Sequence, residues 1–363
     1  MKQTALFDSH TRNGARMGDV QGWRLPVQFT DPSEECYGVR SAAGLFDVGC
    51  LGRIEVAGAG ADRFLGSLFS RDVISITEYS FRYGLFCNDA GGIIDAGILA
   101  RLPSGKNDRR YLVTSSTEAT EKILAWLRHR APQGISIDDR TGSLAQVALQ
   151  GPRSDDILQA VAGSTFKRLK HKRLKEMTIT GTAVLVSRSG LTGERGYELF
   201  VPADQAAALW DILLRSGRGF GLVPCGSTCR DMLRIEAGIA QQGSELTETR
   251  TPFEAGLMSV VDLSHDFVGR AALLRLRDET PRMTLVGFEL FDKGIPNAGG
   301  IIYSESREIG TATSGNHSPH RRRDVGLGYV DRRYAQAGQE IDVEVKDSEI
   351  SARIIPLPFY RRK

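Results

Sequence analysis

Residues 187–199, SRSGLTGERGYEL, decide how this chain is read. Gly190, Gly193 and Gly196 crowd a turn directly before the alternating run Tyr197-Glu198-Leu199-Phe200-Val201. Glycine tolerates φ > 0 and lets a ligand approach the main chain, and the alternation predicts a strand leaving the corner. Glu198 is therefore a carboxylate on a rigid strand beside a permissive loop, a suitable place to read a small planar ligand. A plain hairpin with an exposed glutamate fits the same residues.

Outward from this corner, strands and helices mix. A strand over 182–187 leads into it. Upstream, a strand over 144–149 ends at Gln150-Gly151-Pro152, and Ser154 is expected to cap a helix through Ala162. Downstream, 206–215 reads as a helix, and Pro224-Cys225-Gly226 opens a loop that enters a short helix carrying Arg230, Asp231, Arg234 and Glu236. Helix interiors bury charge only with a partner, so these four are expected to be paired or aimed at a ligand.

The N-terminal part predicts a strand at 53–56 after Asp47-Val48-Gly49-Cys50-Leu51-Gly52, then a helix over 60–68. A hairpin follows over 81–102, with its turn at Asn88-Asp89-Ala90-Gly91-Gly92. Asp95 interrupts the apolar return strand, and alternation points it and Ala96 to opposite faces. A strand at 110–114 and a helix at 118–130 complete an α+β pattern. After the charged, proline-closed segment 277–281, short strands separated by Gly and Pro turns predict a small barrel or sandwich.

Bulk properties bound the function. A chain of 363 residues suggests roughly two or three domains. With 41% apolar and 25% charged residues and a net charge of +3, no global basic field argues for nucleic acid. The clusters 320–323 (HRRR) and 361–363 (RRK) are expected to face water. No apolar run suits a signal peptide or a membrane span, so a soluble intracellular protein is expected. Five scattered cysteines, Cys36, Cys50, Cys87, Cys225 and Cys229, disfavour a disulfide framework. The C-x3-C pair lacks a second ligand pair, so buried free thiols are expected rather than a metal site.

Several separated motifs share one resemblance. Gly14-Ala15-Arg16-Met17, Phe46-Asp47-Val48, Gly91-Gly92-Ile93-Ile94-Asp95, Leu149-Gln150-Gly151-Pro152, Thr192-Gly193-Glu194 with Gly196-Tyr197-Glu198, Arg230-Asp231 with Leu233-Arg234, Glu236-Ala237-Gly238, Thr313-Ser314-Gly315 and Pro358-Phe359-Tyr360 resemble the T-protein of the glycine cleavage system, in the family's order. The resemblance implies an α+β fold in a three-domain, cloverleaf-like arrangement. Two interleaved α+β domains within 1–279 would bind folate, and a β-barrel domain would occupy 280–363. It implies a tetrahydrofolate-dependent aminomethyltransferase that takes its one-carbon unit from the lipoyl arm of a carrier, the H-protein. It further implies a cytoplasmic monomer with no nucleic-acid or membrane partner. Glu198 and Arg230 match the pterin-recognising pair, and Tyr83 matches a tyrosine of the folate pocket.

The departures gather at the reacting end. The family's second aspartate after the Gly-Gly turn is Ala96 here, so the catalytic residue is unknown. Asp95 cannot replace it without a register shift. Gly49-Cys50-Leu51, Leu191 and Thr114 also depart from the family pattern. These changes leave two alternatives beside aminomethyl transfer: demethylation of an N-, O- or S-methyl donor, and a non-catalytic folate-binding role in iron–sulfur cluster maintenance.

Overall fold

The computed structural model describes residues 1–105, 108–163, 166, 168–346 and 348–362; Lys363 of the basic tail lies outside them. In chain order the strands are β1 (Lys2–Gln3), β2 (Arg16–Val20), β3 (Trp23–Gln28), β4 (Ala43–Asp47), β5 (Gly52–Ala57), β6 (Ser80–Cys87), β7 (Ile93–Leu102), β8 (Arg110–Ser115), β9 (Ser136–Asp139) and β10 (Leu144–Gln150). They continue as β11 (Leu174–Ile179), β12 (Thr182–Ser187), β13 (Gly196–Pro202), β14 (Leu222–Cys225), β15 (Met283–Leu290), β16 (Ile301–Ser304), β17 (Arg307–Ser318), β18 (Arg323–Asp331), β19 (Glu340–Val345) and β20 (Ser348–Ile355). The helices are α1 (Phe7–Arg12), α2 (Pro32–Ser41), α3 (Ala61–Gly66), α4 (Thr120–Arg130), α5 (Ser154–Ala162), α6 (Ala206–Gly217), α7 (Ser227–Glu236) and α8 (Arg270–Leu276).

The chain forms two compact units. Unit 1 comprises Met1–Ala61, Ile76–Arg82 and Ile98–Asp231; unit 2 comprises Asp62–Ser75, Tyr83–Gly97 and Met232–Lys363. The chain passes from one to the other within α3, β6, β7 and α7, and between Ser75 and Ile76.

Unit 1 is built on a six-stranded sheet of order β11-β12-β13-β10-β4-β14. Its strands alternate, so one face carries Leu45, Val147, Leu149, Tyr197, Leu199 and Val201 into a core with Leu209, Trp210 and Leu213 of α6 and Ile157 and Leu158 of α5. Local chemistry fixes the helix entries differently from one helix to the next. Asp31 caps α2 through the N–H groups of Ser33 and Glu34, with Pro32 inside the first turn. Ser154, expected as a cap, is instead the first residue of α5, after Arg153, and that end has no side-chain cap. Its hydroxyl is turned to the Arg195 carbonyl.

Below the same sheet, His10 and Asp47 form a buried pair at 2.8 Å, edge-on to Trp210. Burial works to raise the Asp47 carboxyl. The hydrogen bond and charge of His10, helped by Thr4 and the Gly49 N–H, outweigh it and hold the group below the usual range.

Unit 2 contains the closed barrel β15-β18-β17-β16-β19-β20, sealed by β15 pairing with β20. Phe288, Ile302, Val330, Ile341, Val343 and Ile354 fill it. Two of the charges expected to need partners have them: Arg234 bonds Glu245 at 2.7 Å and Ser314 at 2.7 Å, and Glu236 accepts from Ser318 at 2.6 Å. Arg321 pairs with Glu289 and Arg323 donates to the Phe291 carbonyl, while the basic run from His320 to Arg323 is exposed as expected.

Candidate functional site

The glycine-rich corner packs on Gln150. A Cβ on Gly190 or Gly196 would approach atoms of the Gln150 side chain to 1.9 Å and 2.3 Å. Of the three glycines only Gly193 has positive φ, at 77°. Two of them are thus required by close packing rather than by backbone freedom, which corrects the conformational reading of the motif. Gln150 donates to the Ser189 carbonyl at 3.1 Å and accepts from Thr192 at 3.1 Å, and Arg40 braces the corner through the Thr192 carbonyl and Glu194.

Glu198 emerges on β13 and is buried, with 5% of its surface exposed. Its cross-strand partners are Ser187 on β12 and Ala148 on β10, and Ala148 in turn faces Phe46 on β4. This sheet face, opposite the apolar core, also carries Gln146, Gln150 and Phe200. Burial raises the Glu198 carboxyl above its ordinary range, while the hydroxyl of Ser189, which donates to it, and the carboxamide of Gln146 oppose that rise. Gln146, fully buried on β10, lies against Glu198 and interacts with its carboxyl through its carboxamide. A buried carboxyl on a polar sheet face is what a heterocycle with adjacent N–H donors would satisfy.

Arg230 lies in the first half of α7 and is partly buried, with Nη1 4.0 Å from the Cys50 sulfur. Cys50 is buried in the loop after β4. Arg53 organises that loop: its guanidinium binds the carbonyls of Gly49, Leu51, Thr141 and Leu144, and burial pushes it down to about 10. Sequence reasoning placed Cys50 at the site but did not place Arg53 there.

Tyr83, Asp95 and Ala96 belong to unit 2. Tyr83 is half-buried; desolvation, with the nearby Asp95 charge, pushes its hydroxyl up to about 12. Asp95 is fully buried, and Ala96 packs against the apolar cluster of Leu85, Ile93, Leu246, Phe267 and Leu273. The opposite-face expectation for Asp95 and Ala96 agrees with their different burial.

Among the described residues, Glu35, Cys225 and Cys229 bring ligand-type atoms within 4.8 Å of one another. The Glu35 oxygens already accept from the N–H groups of Phe29, Thr30 and Gly226, and burial pushes both thiols upward. All five cysteines are buried, and none forms a disulfide among the described residues.

Two family comparisons cover nearly the whole chain. Residues 6–265 match the GCVT N-terminal domain, and residues 284–361 match the glycine cleavage T-protein C-terminal barrel domain. An aminomethyltransferase of Geobacillus kaustophilus (strain HTA426) is 37% identical over 365 residues, covering 100% of this chain and 99% of that protein. An aminomethyltransferase of Bacillus subtilis (strain 168) is 35% identical over 365 residues, covering 100% of each. The crystal structure of the glycine cleavage system aminomethyltransferase T from Bartonella henselae matches with a TM-score of 0.91 at 29% identity, covering 99% of this chain and 98% of that one.

Proposed function

We propose, since this chain belongs to the glycine cleavage T-protein family, that it is a transferase passing an aminomethyl one-carbon unit to tetrahydrofolate. The end-to-end similarity to proteins named aminomethyltransferase carries this reading. It favours aminomethyl transfer over demethylation of a methyl donor or a non-catalytic role in iron–sulfur cluster maintenance.

The polar face around Glu198 supports a pterin as the ligand. Glu198 is assigned to the amidine-like edge, where its oxygens accept from adjacent N–H donors. Arg230 is assigned to ring acceptors, its guanidinium supplying donors that no carboxylate can. Tyr83 is assigned a flat apolar contact with a polar tip. Tetrahydrofolate, when bound, supplies the nitrogens that take up the one-carbon unit. Ala96 has no group to orient an amine or move a proton, so turnover lacks a contribution worth roughly 100- to 10,000-fold in rate. The donor in this reading is the aminomethylated lipoyl arm of an H-protein-like carrier. Residues 1–279 are assigned to folate binding and 280–363 to the barrel domain of a cytoplasmic monomer. Among the described residues no helix is long and apolar enough to cross a membrane.

Calorimetric titration with tetrahydrofolate tests the binding half. Wild type is expected to bind saturably and Glu198→Ala at least tenfold more weakly, the equivalent of about 1.4 kcal/mol. Absence of saturable binding to wild type would overturn the folate assignment.

A further inference from the structure

A cleft of about 190 Å³ opens where the six-stranded sheet of unit 1 meets β5 and β8 of the five-stranded sheet β6-β7-β8-β5-β9, and every residue lining it belongs to unit 1. Strand register builds its walls. On one sheet Leu112 stands opposite Glu55 and Arg110 opposite Leu102, which puts all four on one face. On the other, Leu185 stands opposite Phe200 and Leu144 opposite Pro202. Leu102, Leu112 and Phe200 are buried and pack with Leu144 and Leu185, so the floor is apolar. The cleft lies toward the end of β13 away from the glycine-rich corner, and Glu198, Arg230 and Tyr83 take no part in its lining.

The rim is ionic. Glu55 accepts from Arg110 Nε at 2.5 Å and from Arg140 Nη1 at 3.1 Å, and Arg140 Nε donates to Ser143 at 3.0 Å. Each oxygen of Glu55 thus serves one arginine, and neither pair is bidentate. Both Nη atoms of Arg110 and Nη2 of Arg140 make no hydrogen bond to a described residue. The two arginine side chains are 41% and 40% exposed, so these N–H groups are open to a ligand. Glu176, the other carboxylate of the lining, is exposed, screened by solvent and hydrogen-bonded with the Tyr79 hydroxyl.

We propose that this cleft binds a small apolar monocarboxylate, an aromatic or branched acid whose body covers the apolar floor and whose carboxylate takes the remaining N–H groups of Arg110 and Arg140. Guanidinium forks match a carboxylate in plane and spacing. Two guanidiniums share the single carboxylate of Glu55, which leaves a positive charge beside the floor for an anion to meet. A cation finds no such partner, because both oxygens of Glu55 are committed to arginines. Size sets the body of the ligand: an apolar cavity of about 150 Å³ accepts benzene, so 190 Å³ accommodates a ring with a short acidic side chain. An inorganic anion would leave the floor wet.

The test titrates the full chain with 3-phenylpropionate by ligand-detected NMR, with 3-phenylpropan-1-ol as the neutral match. Saturable binding is expected with a Kd of roughly 1 mM or tighter, the range open to so small a ligand. The acid is expected to bind at least about fivefold more tightly than the alcohol, and Arg140→Met to weaken the acid about tenfold. Ala183→Phe, which sets a ring into the cleft from an exposed position on β12, is expected to remove binding. Tetrahydrofolate is expected not to displace the probe. No saturation by about 10 mM overturns the proposal. So does equal binding of acid and alcohol, unchanged binding in Arg140→Met or in a folded Ala183→Phe, or displacement by tetrahydrofolate. Should Ala183→Phe fail to fold, Arg140→Met and the alcohol decide.

Discussion

At the scale of single residues, the buried carboxyls of unit 1 pull the pH dependence of stability in opposite directions. The Glu198 carboxyl is raised by burial, so the folded state binds its proton more tightly than the unfolded chain does. Its favourable contribution is complete below the unfolded value and is lost as pH rises through the folded one. Glu198→Gln is therefore expected to be more stable than wild type at pH 8 and little different near pH 4, in urea unfolding at the two values. Equal differences at both would contradict the burial account. Asp47 is held low by His10, Thr4 and the Gly49 N–H, so its contribution is present above the unfolded value and fades as pH falls through the folded one. Asp47→Ala is expected to cost roughly 3 kcal/mol at pH 7, with the gap closing at low pH, because removal breaks a fully buried pair. Glu198 was legible in the sequence because a carboxylate interrupts an alternating strand after a glycine-rich turn. Gln146 was passed over: residues 144–150, LAQVALQ, hold two glutamines four apart, which puts both on one strand face with Ala148 between them, but five apolar residues among the seven drew the reading to the core.

At the scale of elements, close backbone approach explains several positions better than propensity does. Gly151 has φ of 132°, and a Cβ there would meet the Ala42 and Val39 carbonyls at 2.5 Å and 2.6 Å. Gly151→Ala is expected to destabilise by roughly 2 kcal/mol, measured by denaturant midpoint, since neither the φ nor the backbone contacts can be relieved by a rotamer change. The barrel strands were legible because Gly and Pro punctuate them at short intervals. β9 and β14 were not. β9 is a four-residue polar edge strand, and β14 carries Pro224 while pairing in parallel with β4, so local propensity speaks against both. On β7, Ala96 sits among apolar side chains. Ala96→Asp is expected to raise turnover by roughly 100-fold or more while lowering Tm, because it restores a carboxylate in an apolar setting. A variant that folds, binds tetrahydrofolate and gains no rate would contradict the role given to this position.

At the scale of the whole molecule, unit 2 joins Asp62–Ser75 and Tyr83–Gly97 to the C-terminal Met232–Lys363. Periodicity reports what each segment buries but not which distant segment covers it, so this long-range assembly was not legible from local patterns. The family resemblance, carried by motifs spread from Gly14 to Tyr360, implied a C-terminal barrel, and the strands from β15 to β20 close one. The α+β reading likewise agrees with the mixed sheets and helices before it. The central claim is a transferase scaffold that retains its ligand-reading face while lacking the usual carboxylate at position 96. The most direct measurement supplies purified protein with aminomethylated lipoyl carrier and tetrahydrofolate and follows methylenetetrahydrofolate. The expected result is slow formation that requires both donor and folate, and that quickens in Ala96→Asp. No product from either protein, with tetrahydrofolate binding intact, would contradict the account.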